Sequence, residues 1–476
     1  MGGDSDPFPV SVSSLHFPSK EQTISQTLSS LRRSALSITN RLQSIESDAN
    51  FVREVADYYD LPLVANERCG SWYIPPEAKA GSAYFKSTDG HTGQWDFSFR
   101  RLNLQILPIS RKHGGCIIVD STRRGKLMPD ALSKTVPIWC AVINRALFPS
   151  DTAYHPVQFP PNFLGASEES QIEHRIDDFV KSLKDLKLDL DDLKQKLGKP
   201  IRVAWANRSY FHPTDLRKGD AYNLFVLCSA SKRVHGAEMS EGGYIQGAGD
   251  DSEGWAHGLT PPVFWEHKST LAATGEEDLP ELIVELVEEH RKQDGRQQAT
   301  LITPTRNLYI SPTDPQLNGG GTYDLVIDCN GNPEASEGNS KRLNLGCGVS
   351  KLGSRDLRKH LHQVLAFTSS QLESNPSQSM LVTCESGKDL SAGALLAILC
   401  LCYDDEGKYP YVQSQSGHAN HATGNFAGSH AKNKIDKQFI RQRLAWIVSS
   451  KHDVNPSRAT LQSVNAFLME RPDFNK

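Results

Sequence analysis

No apolar run in this sequence approaches 18 residues, so it holds no candidate transmembrane helix. The opening MGGDSDPFPVS has neither the basic nor the apolar region of a secretory leader. Met1-Gly2-Gly3 lacks the Ser or Thr at position 6 that an N-myristoylation signal requires. Cysteines number nine, an odd count, and no Cys-x-x-Cys pair occurs, which excludes a zinc ribbon and argues against a disulfide framework. The cysteines are expected to be reduced core residues of a cytoplasmic protein. No internal repeat is visible. A net charge of −4 excludes a chain that is basic throughout, and neither membrane nor DNA is expected as a partner.

What is present is uneven. Residues 86–134 carry nine Lys/Arg against four Asp, a concentrated basic stretch of the kind that meets a polyanion. At 476 residues the chain is long enough for two or more domains with their own cores. Apolar spacing predicts a helix within 20–60, and RLNLQIL (101–107) alternates like a half-buried strand. CIIVD (116–120) reads as a buried strand ending on an acid, and AVINRALF as a short helix after Pro137. One long amphipathic helix is expected over 172–197, closed by Gly198 and Pro200. IRVAWAN (201–207) and NLFVLCSAS (223–231) are strands, 236–258 is a Gly-rich acidic loop, and Pro280 starts a helix. The polar KQDGRQQAT divides the chain into 1–291, a linker 292–300, and 301–476. Beyond it YDLVIDC, a helix over 354–372, MLVTC and a helix over 391–403 alternate in α/β fashion.

Three constellations carry chemistry. LVTCESGKDLSAG (381–393) is a strand, a small polar loop and an apolar helix, a geometry that converges N–H groups and a helix dipole on an anion. It resembles the phosphate loop of Cys-dependent phosphatases, but Thr383 stands where they have His and Leu390 where they have Arg. Cys384, Glu385, Ser386, Gly387, Lys388, Asp389 and Ser391 are therefore expected to hold a phosphate without hydrolysing it. The loop is no Walker A motif, because its first glycine is missing and Asp389 follows Gly-Lys. YFKSTDGHTGQWDFSFRRLNL (84–104) and IIVDSTRRGKLMPDALSKT (117–135) bring Lys86, Asp89, His91, Arg100 and Arg101, then Asp120, Arg123, Arg124 and Lys126. An acid at the carboxyl end of a buried strand is a familiar ligand position. GGYIQGAGDDSEGWAHGLTP (242–261) offers Asp250 and Asp251 as oxygen ligands for Mg²⁺. The histidines of HLH (360–362), two apart on a helix, point to different faces, and HANHATGNFAGSH (418–430) reads as a surface loop.

Taken in order, these stretches closely resemble the initiator-tRNA phosphoribosyltransferases, the tRNA 2′-O-ribosylphosphate transferases of fungi and plants. The resemblance implies a multidomain α/β protein: a mixed α/β N-terminal domain followed by a C-terminal domain like dual-specificity phosphatases. It implies transfer of 5-phosphoribosyl from phosphoribosyl pyrophosphate, with Mg²⁺, to the 2′-hydroxyl of an adenosine at tRNA position 64. That adenosine lies in the T-stem of initiator methionine tRNA, which the modification keeps out of elongation. In such a reaction a base is expected among Asp89, His91 and Asp120. Lys86, Arg100, Arg101, Arg123, Arg124 and Lys126 would meet either pyrophosphate or the tRNA backbone. The competing reading is an inactive phosphatase-like adaptor that binds phosphorylated RNA or another phosphorylated ligand.

Overall fold

The computed structural model describes residues 36–88, 93–208, 219–234, 243–293, 298–313, 323–336, 339–348, 350–409 and 435–469. It opens on helix α1 (Ile38–Tyr59), whose first turn is capped by the Ser37 side chain accepting from Asn40 N. Five strands then form one sheet: β1 (Leu63–Asn66), β2 (Lys79–Ala83), β3 (Gly115–Asp120), β4 (Ile201–Ala206) and β5 (Asn223–Ser229). Their order is β2-β1-β3-β5-β4, and every pairing is parallel. β3 and β5 are buried at every residue, as strands covered on both faces must be. Alternation along β3 assigns the faces. Cys116 and Ile118 join the core containing helices α2 (Ile106–His113) and α3 (Val136–Leu147), while Ile117 and Val119 join the core containing α1.

The chain leaves β1 toward one edge of the sheet, to β2, and leaves β3 toward the other. The β1/β3 border is thus a topological switch point, where the carboxyl ends of parallel strands open a crevice for ligands.

The expected helix over 172–197 is three: α4 (Ala166–Glu173), α5 (Ile176–Lys184) and α6 (Leu190–Leu197). Lys187 takes a left-handed φ of 55°, and Asp189 recaps the chain by accepting from Asp192 N. The apolar spacing survives these breaks because Ile172, Ile176, Leu183, Leu193 and Leu197 all enter one core. Nor is RLNLQIL a strand. Leu102, Leu104 and Ile106 are buried, but Asn103 turns the backbone at φ 55° and α2 begins at Ile106. Two short helices, α7 (Pro261–Glu266) and α8 (Lys268–Ala273), and the longer α9 (Leu279–Gln293) complete this half.

A second sheet follows, of β6 (Thr300–Leu301), β7 (Leu308–Pro312), β8 (Leu325–Asp328), β9 (Arg342–Asn344) and β10 (Met380–Cys384), in the order β6-β7-β10-β8-β9. Only β6 runs antiparallel. Around it lie α10 (Ser350–Ser374), α11 (Leu390–Cys402), α12 (Lys437–Ser450) and α13 (Arg458–Leu468). α11 is apolar on all sides and correspondingly buried among the other three. The apolar core is continuous between the halves, reaching from Ile118 and Phe225 to Val382 and Leu396. Among the described residues no helix is long and apolar enough to cross a membrane.

Candidate functional site

The β1/β3 crevice is organised by an arginine the sequence reading passed over. β1 ends on Asn66 and β3 on Asp120, both fully buried. Two residues past β1, Arg68 reaches across. Its Nε and Nη2 donate to Asp120 Oδ2 and Oδ1 at 3.3 and 3.2 Å, and Nη2 also reaches Ser121 O at 2.6 Å. Asp120 is further held by Asn66 Nδ2 at 2.8 Å, Cys69 Sγ at 3.0 Å and the Ser121 N–H at 2.7 Å. Burial pushes the Cys69 thiol up, and the Asp120 charge pushes it further, which keeps Sγ–H a donor. Burial alone would lower the Arg68 guanidinium, but the carboxylates around it, Asp120 foremost, raise it well above its ordinary value.

The opposite wall is the acidic loop. Arg68 Nη1 donates to Asp250 Oδ1, Arg123 Nε lies 3.7 Å from Asp250 Oδ2, and Arg123 Nη1 lies 2.6 Å from Asp251 Oδ2. Burial raises the Asp250 carboxyl to about 6 despite the opposing pull of Arg68. Loop position is fixed by Gln246, whose Oε1 accepts from Gly125 N at 2.9 Å and Val234 N at 3.2 Å and whose Nε2 donates to Lys126 O at 2.7 Å. Gly247 takes φ 67°, and a Cβ there would stand 2.4 Å from Thr122 O. So 121–126 and 246–251 are one interlocked unit that carries Arg123 inward and leaves Arg124 and Lys126 exposed. Asp250 and Asp251 offer only oxygen ligands, a donor set suited to Mg²⁺ shared with substrate phosphates. Among the described residues no group of three or more His, Cys, Asp and Glu is arranged to hold a metal ion.

Asp89 and His91 lie outside the described residues, as does 418–430. The stem leading to the first two is fixed at the crevice. Asn66 accepts from Phe85 N at 2.7 Å and donates to Phe85 O at 3.0 Å, Thr135 Oγ1 donates to Lys86 O at 2.8 Å, and Thr88 Oγ1 to Asp130 at 3.1 Å. The Lys86 side chain is exposed.

The second constellation tops β10. Cys384 is buried, with Sγ 3.1 Å from Ser391 Oγ and 3.7 Å from Ser386 Oγ. Gly387 turns the loop at φ 62°, where a Cβ would lie 2.3 Å from Pro312 N. Three loop N–H groups are engaged internally: Glu385 N with Asn330 Oδ1, Gly387 N with Cys384 O, and Lys388 N with Ser386 Oγ. The start of α11 has no side-chain cap, because Asp389 instead accepts from Ser457 N at 2.8 Å. Leu390, in the arginine's place, is buried against Gly353. Burial raises Cys347 beside this loop to about 12. At HLH, His360 meets Gln363 while the His362 ring meets Phe467.

Arg100 and Arg101 do not join the crevice. Arg101 Nη1 donates to Val454 O at 2.9 Å and Arg100 Nη1 to Pro456 O at 3.3 Å, on a segment that lines the second loop.

Comparison with known proteins matches the family models for the Rit1 N-terminal domain over residues 31–288 and the Rit1 DUSP-like domain over 341–468. An uncharacterised protein of Schizosaccharomyces pombe is 37% identical over 90% of this chain and 94% of its own. The tRNA A64-2′-O-ribosylphosphate transferase of Saccharomyces cerevisiae is 31% identical over 94% of this chain and 95% of its own. Among solved structures, the Yvh1 phosphatase domain from Chaetomium thermophilum aligns with a TM-score of 0.26 and 17% identity, covering 37% of this chain and 98% of that one. Both halves and nearly the whole length of the yeast transferase are spanned, and the chain belongs to the Rit1 family of tRNA ribosylphosphate transferases.

Proposed function

We infer that the protein is a pentosyltransferase that modifies the ribose of A64 in initiator tRNA, and that its donor is phosphoribosyl pyrophosphate. The observation that carries the reading is the full-length likeness to the yeast A64 enzyme, which includes both constellations described above. We place the enzyme in the cytoplasm, with its tRNA.

In the proposed reaction the bond from C1 of the donor to pyrophosphate breaks, and the adenosine 2′-oxygen bonds to C1. The hydroxyl proton passes to a base, a contribution on the order of 10²–10⁴-fold. Asp120 is the poorest of the three candidates for that base. Its two oxygens already accept five hydrogen bonds in a fully buried position, so we assign it to hold Arg68. The proton then goes to Asp89 or His91, whose stem Asn66 fixes beside Asp120. Arg68 and Arg123 supply positive charge where pyrophosphate departs. Asp250 and Asp251 are the residues that would hold Mg²⁺, which when bound neutralises the leaving group. Arg124 and Lys126, exposed on the same unit, suit the tRNA backbone, whose A-form helix is met through phosphates and 2′-hydroxyls.

The loop at 384–391 is assigned to the donor's 5-phosphate. Its means are the uncapped start of α11, Lys388, and the hydroxyls of Ser386 and Ser391. The test is pyrophosphate release, which should require donor and initiator tRNA together. Release with donor alone, or none with both present, contradicts the reading.

A further inference from the structure

The segment 453–457, which leads into α13, connects the two constellations. On one side it lies along the phosphate loop: Asn455 N donates to Lys388 O at 2.9 Å, Ser457 N to Asp389 Oδ1 at 2.8 Å, and Lys388 Nζ stands 3.1 Å from Asp453 Oδ2. Lys451 Nζ holds the other Asp453 oxygen at 2.8 Å. On the other side the segment is gripped by the basic motif of the first half. Arg101 donates to Val454 O while its guanidinium carbon lies over the Tyr84 ring, 4.3 Å from the centroid, and Arg100 donates to Pro456 O. Tyr84 N is fixed by Asn103 Oδ1 at 2.9 Å, and the next residue, Phe85, is the one clasped by Asn66, Asp120's partner. A continuous set of contacts therefore runs from the crevice to the loop.

We propose that Arg101 is a positioning residue for the phosphate loop, setting segment 453–457 against Lys388 and Asp389 rather than touching pyrophosphate or tRNA. The inference rests on the assignment of that loop to the donor phosphate. A directed guanidinium bond to a carbonyl, made from a group that also sits over a ring, is geometry that lysine does not reproduce. A purely electrostatic contact to a phosphate would tolerate lysine far better.

The experiment compares Arg101→Ala, Arg101→Lys, Tyr84→Leu and Lys388→Ala in the full chain. It measures donor KM, kcat and tRNA dissociation constants over a salt series. Tyr84→Leu keeps an apolar support and guards against a folding defect in the arginine variants. The expected result is a donor KM raised about tenfold in Arg101→Ala, as loss of a charge-assisted bond would give. Arg101→Lys should not rescue it, Tyr84→Leu should show a smaller rise, and the tRNA affinity and its salt slope should be unchanged. A salt slope reduced by about one would instead make Arg101 a phosphate contact and overturn the proposal. An unchanged donor KM in Arg101→Ala, with Lys388→Ala raised, overturns the positioning role alone. An unchanged KM in Lys388→Ala removes the loop assignment itself, and the inference with it.

Discussion

Arg68 and Asp120 face each other across the β1/β3 border through two hydrogen bonds, one to each carboxylate oxygen. Asp120 is fully buried and Arg68 side chain mostly so, which makes the pair the fixed centre of the crevice. Removing Asp120 strips the buried Arg68 charge of its main partner and leaves Asp250 to offset it. Asp120→Asn is accordingly expected to lower unfolding free energy by about 3–5 kcal/mol in urea titration. Arg68→Lys, which keeps charge but loses the fork that spans Asp120 and Asp250, should lower kcat/KM by on the order of 10²-fold.

Asp250 gives a prediction with a pH sign. Its folded-state carboxyl titrates at about 6 against an ordinary 3.8, so the folded protein takes up the proton first as pH falls. The group's stabilising contribution is full below the ordinary value and is lost as pH rises through about 6. Asp250→Asn carries no such penalty. Its melting temperature should exceed that of the native protein at pH 8, and the gain should shrink as pH falls through 6 and approach zero only below the ordinary value of 3.8. A gain that is flat across this range would show that burial is not what perturbs Asp250.

Gln246 ties the basic loop to the acidic one through three backbone groups. Gln246→Leu keeps the bulk and strands all three, each worth about 1–3 kcal/mol when buried and unpaired. Faster amide hydrogen exchange at Gly125 and Val234, with kcat/KM reduced about tenfold or more, is the expected outcome.

Gly387 is the one position in the phosphate loop with no room for a side chain, since a Cβ would overlap Pro312. Gly387→Ala should raise donor KM at least about tenfold, on the loop assignment proposed here, while leaving the far-ultraviolet circular dichroism unchanged. Equal donor KM in the variant would mean that the loop's shape is irrelevant to the donor.

The central strands β3, β5 and β10 were legible because parallel strands covered on two faces are largely apolar, as CIIVD, NLFVLCS and MLVTC are, whereas the short β1, β2, β6, β7 and β9 were not. The ends of those strands, Asp120 and Cys384, were legible for the same reason. The three-helix stretch 166–197 was misjudged because apolar spacing records which face is buried, not whether the backbone between is unbroken. RLNLQIL failed in the same way, its alternation produced by a turn feeding a helix. Arg68 was missed although its signal existed. It sits just past the apolar LVAN strand, in the ligand position that drew attention to Asp120, but a strand of four residues between Pro62 and the glycine and prolines of 70–76 is too short to stand out. The partners of Arg100 and Arg101 were not readable at all, since a bond between residues more than 350 positions apart depends on how the two halves meet.

The most direct test of the account is transfer itself. Phosphoribosyl pyrophosphate labelled in its 5-phosphate is incubated with Mg²⁺ and the protein, using unmodified initiator methionine tRNA and, as control, elongator methionine tRNA. The account predicts label on the initiator alone, at A64, appearing on the order of 10²-fold more slowly in Arg68→Lys. Folded protein that labels neither tRNA, or both equally, would contradict it.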